Sequence, residues 1–443
     1  MGLEGPILFG SQSLNRWPWR IADEMKRLLV AILLTLGSTL AAIPANAFTL
    51  LDPNTWPPSL NPHNWPFSVY PIPEVATDPN GGVTYGILVA LLLKDQHGDI
   101  RYIFAPDVNN NSTLGPGGNL RFLAYPSEDT QWYATGGAQE NIARNFDLNY
   151  ETGRTHHEWW SFTGRFFFER DPTERFFGIG NNSRLGQETN YTTEQLYFRG
   201  LFGWNVTPNL QLAALIKPRY VRIQNGGFTT TPQIGAVFPH VKGINGGSEM
   251  WDEVRATYDD RDSVDIPRAG SLALLYYGLA DRRFLSSVSY NRFGGELRHY
   301  ISLGHRITFA GHLYMQWTPA GNETPFWSMP WLGGEESFLY TVETLRGYGA
   351  GRFIDNNIAT ASIEMRTRVL EATVFGTHGV AEVAPFFDTG HVWHSMSRIP
   401  FQELHSVGGV GFRAIVEPFV VGYVDVGWGG EGAAVFSGIN YPF

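Results

Sequence analysis

The 443-residue chain has no cysteine. That excludes a disulfide-stapled scaffold and thiolate metal sites. Charge is scarce, at 17% of residues, and the formal net charge of −10 argues against nucleic acid as a partner. Helical periodicity is missing as well, since no 3.6-residue pattern competes with strand-like alternation over a comparable length. After residue 47 no stretch approaches 18 consecutive apolar residues, so no transmembrane helix is expected. A Gly-x-Ser-x-Gly nucleophile elbow is absent. His156-His157-Glu158 is a poor metal site, because adjacent residues on a strand face opposite ways. Asp259, Asp260 and Asp262 lack the spacing and the glycine of a calcium loop. The chain is therefore expected not to be an enzyme, and to carry neither metal nor cofactor.

What is present is 50 glycines and 14% aromatic residues. Residues 25–47 have the pattern of a secretory signal peptide. Met25-Lys26-Arg27 supplies the positive start, Leu28 to Leu36 the apolar core, and Ala45-Asn46-Ala47 the small-x-small cleavage site. Residues 1–24 precede that signal with acidic Glu4, Asp23 and Glu24 and read as a mis-called start, so the mature chain is expected to begin at Phe48. Residues 48–81, with Pro57-Pro58, Pro71 and Pro73, read as a proline-rich lead-in. Residues 82–443 read as one transmembrane β-barrel in the outer membrane of a Gram-negative bacterium, with membrane lipid around it.

Seventeen strand-like segments follow Gly82, twelve before a long connection at roughly 319–356 and five after it. Single-chain bacterial barrels have even strand numbers. One segment within Arg101 to Thr135 is therefore expected to be split or spurious, which leaves an all-β, antiparallel barrel of sixteen strands. Alternation is cleanest near the C-terminus. Ser362, Glu364, Arg366 and Arg368 share one strand face, and Glu382, Ala384, Phe386 and Asp388 share another. Charge on one face and apolar groups on the other fit a polar lumen and a lipid-facing exterior. Tyr441 and Phe443 end the last strand and are expected to form a C-terminal insertion signal, the terminal aromatic lying in the lipid-facing girdle.

The long connection contains Leu345-Arg346-Gly347-Tyr348. Unstructured connections of such length in compact domains are usually either functional or disordered, so a solvated surface loop is the alternative to a docked one. An arginine cannot shed its charge. If Arg346 is enclosed it needs a carboxylate, and Asp388 is the first candidate, Glu364 the second.

These motifs resemble, in order, those of the outer-membrane assembly and translocation barrels of the BamA/TamA type, the bacterial surface antigens. Asp259-Asp260-Arg261-Asp262 is similar to the family's Asp-Arg-Asp turn. Leu332-Gly333-Gly334 and Leu345-Arg346-Gly347-Tyr348 are similar to its inward-folded sixth extracellular loop. Glu364-Met365-Arg366 and Phe386-Phe387-Asp388-Thr389-Gly390 are similar to its next two strands. The resemblance implies sixteen strands with the loop between strands 11 and 12. It also implies a lumenal Arg346 anchored on a wall formed by Asp388, Glu364, Phe386 and Gly390. Family members that insert or secrete proteins carry periplasmic POTRA domains, and residues 48–81 are too few for one, so the subgroup lacking them is expected. The implied role is insertion or transport of unfolded outer-membrane protein or of lipid. The alternative is a passive pore or structural surface-antigen barrel.

Overall fold

The computed structural model describes residues 67–78, 80–95, 100–319, 324–334, 345–374, 377–395, 403–417, 420–439 and 441–443. The expected leader segments 1–24 and 25–47, and residues 48–66 of the lead-in, lie outside these.

The strands run in chain order. The first seven are β1 (Phe67–Asp78), β2 (Gly82–Lys94), β3 (Ile100–Phe104), β4 (Asp107–Asn111), β5 (Gly115–Ala124), β6 (Gln131–Gln139) and β7 (Arg144–Thr152). Next come β8 (Trp160–Phe176), β9 (Thr189–Thr207), β10 (Leu210–Asn225), β11 (Gly247–Asp259), β12 (Gly270–Ala280), β13 (Tyr290–Leu303) and β14 (Ile307–Trp317). The last seven are β15 (Trp331–Leu332), β16 (Phe353–Ile354), β17 (Asn357–Val374), β18 (Thr377–Trp393), β19 (His405–Val416), β20 (Val420–Gly429) and β21 (Gly432–Ile439). β15 and β16 pair with each other inside the long connection, and the other nineteen strands form one sheet. The paired strands are antiparallel to their neighbours, and the sheet closes where Thr77 of β1 faces Val435 of β21.

β3 and β4 are one stave of the barrel. Leu91 faces Phe104 and Leu88 faces Asp107 in a single register along β2, interrupted at Ala105-Pro106. Proline has no N–H to give the ladder. Nineteen strands, with those two counted as one, make eighteen staves among the described residues. The expected sixteen is thus corrected. Parity is restored by adding a stave at the N-terminal side, not by removing one from 101–135. The added stave is β1, inside the expected lead-in, and the boundary at residue 82 moves with it. Pro71 and Pro73 disguised it. Being two residues apart, they remove ladder donors from the same side of the strand, which leaves the other side free to pair with β2 along all of Phe67–Asp78. The long connection consequently joins the thirteenth and fourteenth staves, β14 and β17, in place of strands 11 and 12.

Alternation along the staves sorts side chains between two environments. On β14, Phe309 and Leu313 are exposed on the outside, while Thr308, His312 and Gln316 are buried inside. Leu297, Ile363, Phe387 and Phe412 continue the apolar exterior, and Glu296, Glu364, Arg366, Asp388 and Arg413 the polar interior. That is the sorting of a barrel in a bilayer. The short turns 208–209 and 304–306 lie at one end of the staves, and the long connections 226–246 and 318–356 at the other. The C-terminal residues lie at the end where β9–β10 and β13–β14 turn back.

Candidate functional site

The site is built first from the connection's own backbone. β15 and β16 pair Trp331 with Ile354 and Leu332 with Phe353, bringing its two limbs together. Gly333 has φ +107°, and a Cβ there would overlap the carbonyl oxygen of Gly349, so this close approach requires glycine. The Gly334 N–H donates to Tyr348 O at 2.7 Å, and the Gly347 and Tyr348 N–H groups both donate to Leu345 O, at 2.7 and 3.1 Å. This tight turn carries Arg346 at its tip. Leu345 and Tyr348 pack beside it with Leu332, Phe353, Phe386 and Val407.

Arg346 is fully buried. Its Nε and Nη2 donate to the two oxygens of Asp388, each at 2.8 Å. Its Nη1 donates to Glu364 Oε1 at 2.5 Å and to Asp425 Oδ2 at 2.7 Å. The guanidinium lies over the Phe386 ring, 3.6 Å from its centroid. Gly390 completes this wall, because a Cβ there would sit 2.7 Å from the Leu332 side chain. Arg346 and the four wall positions named from the sequence thus lie together around the loop.

Two further members come from strands whose sequence did not single them out. Arg413 on β19 donates to Asp425 on β20 and, at 3.3 Å, to Glu364 Oε1. Arg366 Nε donates to Glu364 Oε2 at 2.9 Å. Three guanidinium groups and three carboxylates therefore form one neutral cluster across β17, β18, β19, β20 and the loop. Burying these charges would be prohibitive singly and is sustained by mutual pairing. The available signal for Asp425 was its position. It is the one charged residue of Val420–Gly429, on the face shared with Val421 and Tyr423. Asp425→Asn is expected to weaken loop docking less than Asp388→Asn, because Arg346 keeps its bidentate partner. Hydrogen exchange at the amides of 345–353 measures both.

The β20 wall is shaped for the loop by its glycines. At Gly427 a Cβ would overlap the carbonyl oxygen of Arg346, and at Gly429 it would lie 2.7 Å from the Tyr348 ring. The Gly430 N–H donates to Tyr348 Oη at 2.8 Å. Arg352 makes a second attachment, donating from Nε to Glu431 at 2.7 Å and from Nη1 to Ser183 Oγ at 2.9 Å. It lies between the Phe177 and Phe353 rings, 4.4 Å from each centroid.

The Asp-Arg-Asp turn lies apart from this cluster, at the short-turn end. Arg261 donates to both oxygens of Asp259, at 2.9 and 2.7 Å, and Asp262 Oδ1 accepts the Arg268 and Ala269 N–H groups at 2.8 and 3.1 Å. The carboxylates are thus engaged in building the turn. His156 and His157 belong to the β7–β8 turn, where His157 Nδ1 lies 2.9 Å from Thr155 Oγ1. No group of three or more His, Cys, Asp or Glu arranged for a metal occurs among the described residues.

The C-terminal aromatics are not in the lipid-facing girdle, and that expectation is corrected. Phe443 is buried with Tyr300 and Ala310 on the inner wall, its ring stacked on His312 at 5.2 Å. Arg366 Nη2 donates to Phe443 O at 3.0 Å, and Tyr441 Oη lies 3.3 Å from Glu382 Oε1. Arg366 covers the Tyr441 ring at 3.8 Å. The inward turn gives two aromatic faces to a guanidinium already committed to Glu364.

Comparison with known proteins follows the same geometry. The Omp85 superfamily domain matches residues 130–416. CdiB from Escherichia coli is similar in structure, with a TM-score of 0.50 and 12% identity over 90% of this chain and 73% of that one. BamA from Haemophilus ducreyi lacking POTRA domains 1–3 gives a TM-score of 0.48 and 15% identity over 84% of this chain and 74% of that one. No curated protein sequence matches. The match across most of the barrel, and the barrel itself, make this chain a member of the Omp85 superfamily of outer-membrane insertion and translocation barrels.

Proposed function

We propose that the chain inserts or transports proteins or lipids at the outer membrane, and that the Arg346 loop is the movable closure of its lumen. The observation that carries this reading is the docking of the loop tip. A passive pore has no need of a fully buried arginine held by carboxylates from three strands. The cluster is polar and neutral as a whole, so the undocked arginine and the exposed carboxylates can each be rehydrated. A hydrophobic plug has no comparable alternative. The role is mechanical and electrostatic, and no bond-making chemistry is assigned to the barrel. Cargo at this level is an unfolded outer-membrane polypeptide or a lipid.

A lock tests it. At Gly390 a Cβ would lie 2.7 Å from the side chain of Leu332 in the loop, and shortening Leu332 relieves that overlap, so a Leu332→Cys/Gly390→Cys pair places a thiol on the loop against one on β18. The purified double variant is reconstituted in liposomes and supplied with an unfolded outer-membrane protein or a fluorescent phospholipid. Reduced protein is expected to accelerate insertion or transfer, and oxidised protein to lose that acceleration. Equal rates in both states, or no acceleration of either cargo, would contradict the reading and leave the passive barrel.

A further inference from the structure

The turn between β11 and β12 does more than reverse the chain. Its ends are fixed near its own staves, since Arg268 Nη2 donates to Gly304 O at 3.1 Å and Ser302 Oγ donates to Arg268 O at 2.9 Å. Its middle leaves that wall. Ile266 is buried against Val380, Ile415 and Val421, which are inner-face residues of β18, β19 and β20. Those are the fifteenth to seventeenth staves, whereas the turn springs from the tenth and eleventh. The neighbouring Asp265 points elsewhere, to Arg154 in the β7–β8 turn, with Nη2 to Oδ1 at 2.6 Å. Consecutive residues thus grip opposite sides of the same mouth. The charged grip is firm, since Asp265 and then Glu151 hold the Arg154 guanidinium above its ordinary pKa, although burial alone would lower it. Tyr441 packs at the edge of the Ile266 cluster.

We propose that residues 260–269 are a strap closing the periplasmic mouth of the lumen, a second closure at the opposite end from the Arg346 loop. The inference rests on the reading of the lumen as a closed transport path, and its test is sided so that the two can fail separately. A transport barrel closed at both ends keeps the membrane sealed while either closure moves alone. Cargo or a periplasmic factor arriving at the strap has to displace Ile266 and break the Arg154–Asp265 pair.

The natural chain has no cysteine, so a single introduced thiol reports cleanly. Ala384 is fully buried on the inner face of β18, between Glu382, which meets Tyr441, and Phe386, which lies under Arg346. Ala384→Cys protein in oriented proteoliposomes is treated with a membrane-impermeant maleimide from the periplasmic side. Adding Asp265→Ala and Ile266→Ser is expected to speed labelling from that side by about tenfold or more, with labelling from the extracellular side unchanged. An unchanged periplasmic rate would overturn the strap, whatever the Arg346 loop does. Ile266→Cys combined in turn with Val380→Cys, Ile415→Cys or Val421→Cys provides the second measurement in an otherwise intact barrel. Oxidation is expected to cross-link the turn to the far wall in at least one pair, and absence of a cross-link in all three would equally overturn the proposal.

Discussion

Arg346→Ala is expected to release the loop while leaving the barrel folded. The substitution removes one half of an enclosed ion pair, which costs about 3–5 kcal/mol in buried cases. It also leaves Asp388 without the bidentate partner that its two oxygens hold at 2.8 Å. Glu364 and Asp425 keep Arg413, and Glu364 keeps Arg366, so the loss falls mainly on the loop and Asp388. Converted to populations, the undocked state should rise on the order of 10²- to 10³-fold. Hydrogen exchange reads this directly. Amides of 345–353 are expected to lose protection by that factor, while the ladder between β17 and β18 keeps its own. Loss of protection throughout the sheet would mean that Arg346 supports the barrel itself, and no loss would mean that it does not hold the loop.

Gly427→Ala is expected to match that effect by a different cause. The added methyl group would occupy the space of the Arg346 carbonyl oxygen, so loop and wall cannot both stay in place. Overpacking of a close contact costs typically about 1–3 kcal/mol, more where backbone meets backbone. No charge is altered, so the loss should persist at salt concentrations that screen surface pairs. Combined with Arg346→Ala it should add little, because both substitutions detach the same element. Full additivity in hydrogen exchange would show two independent attachments.

The sequence displayed its barrel through alternation, and most strongly where the lumen is most charged. Ser362, Glu364 and Arg366 could be placed on one face from their spacing alone. Its errors have physical causes. β1 was missed because Pro71 and Pro73 look incompatible with a strand, although alternate prolines cost donors on one side only. The stave count then fell to sixteen through a correct parity rule applied to an incomplete list. Arg413 and Asp425 lay within recognised strands, but their place beside Arg346 depends on the register across β19 and β20, which alternation does not specify. Phe443 turned inward because Arg366 and His312, distant in sequence, offer it a donor and a ring. The strap was legible only as a turn, since nothing local tells Ile266 to cross the mouth.

The central claim is that Arg346 holds the extracellular closure of the lumen. Its most direct test is extracellular labelling of Ala384→Cys with an impermeant maleimide, with Arg346 present and with Arg346→Ala. Labelling is expected to be slow with Arg346 in place, and to become fast from outside, and only from outside, once it is removed. Rapid labelling with Arg346 intact, or equally slow labelling without it, would contradict the account.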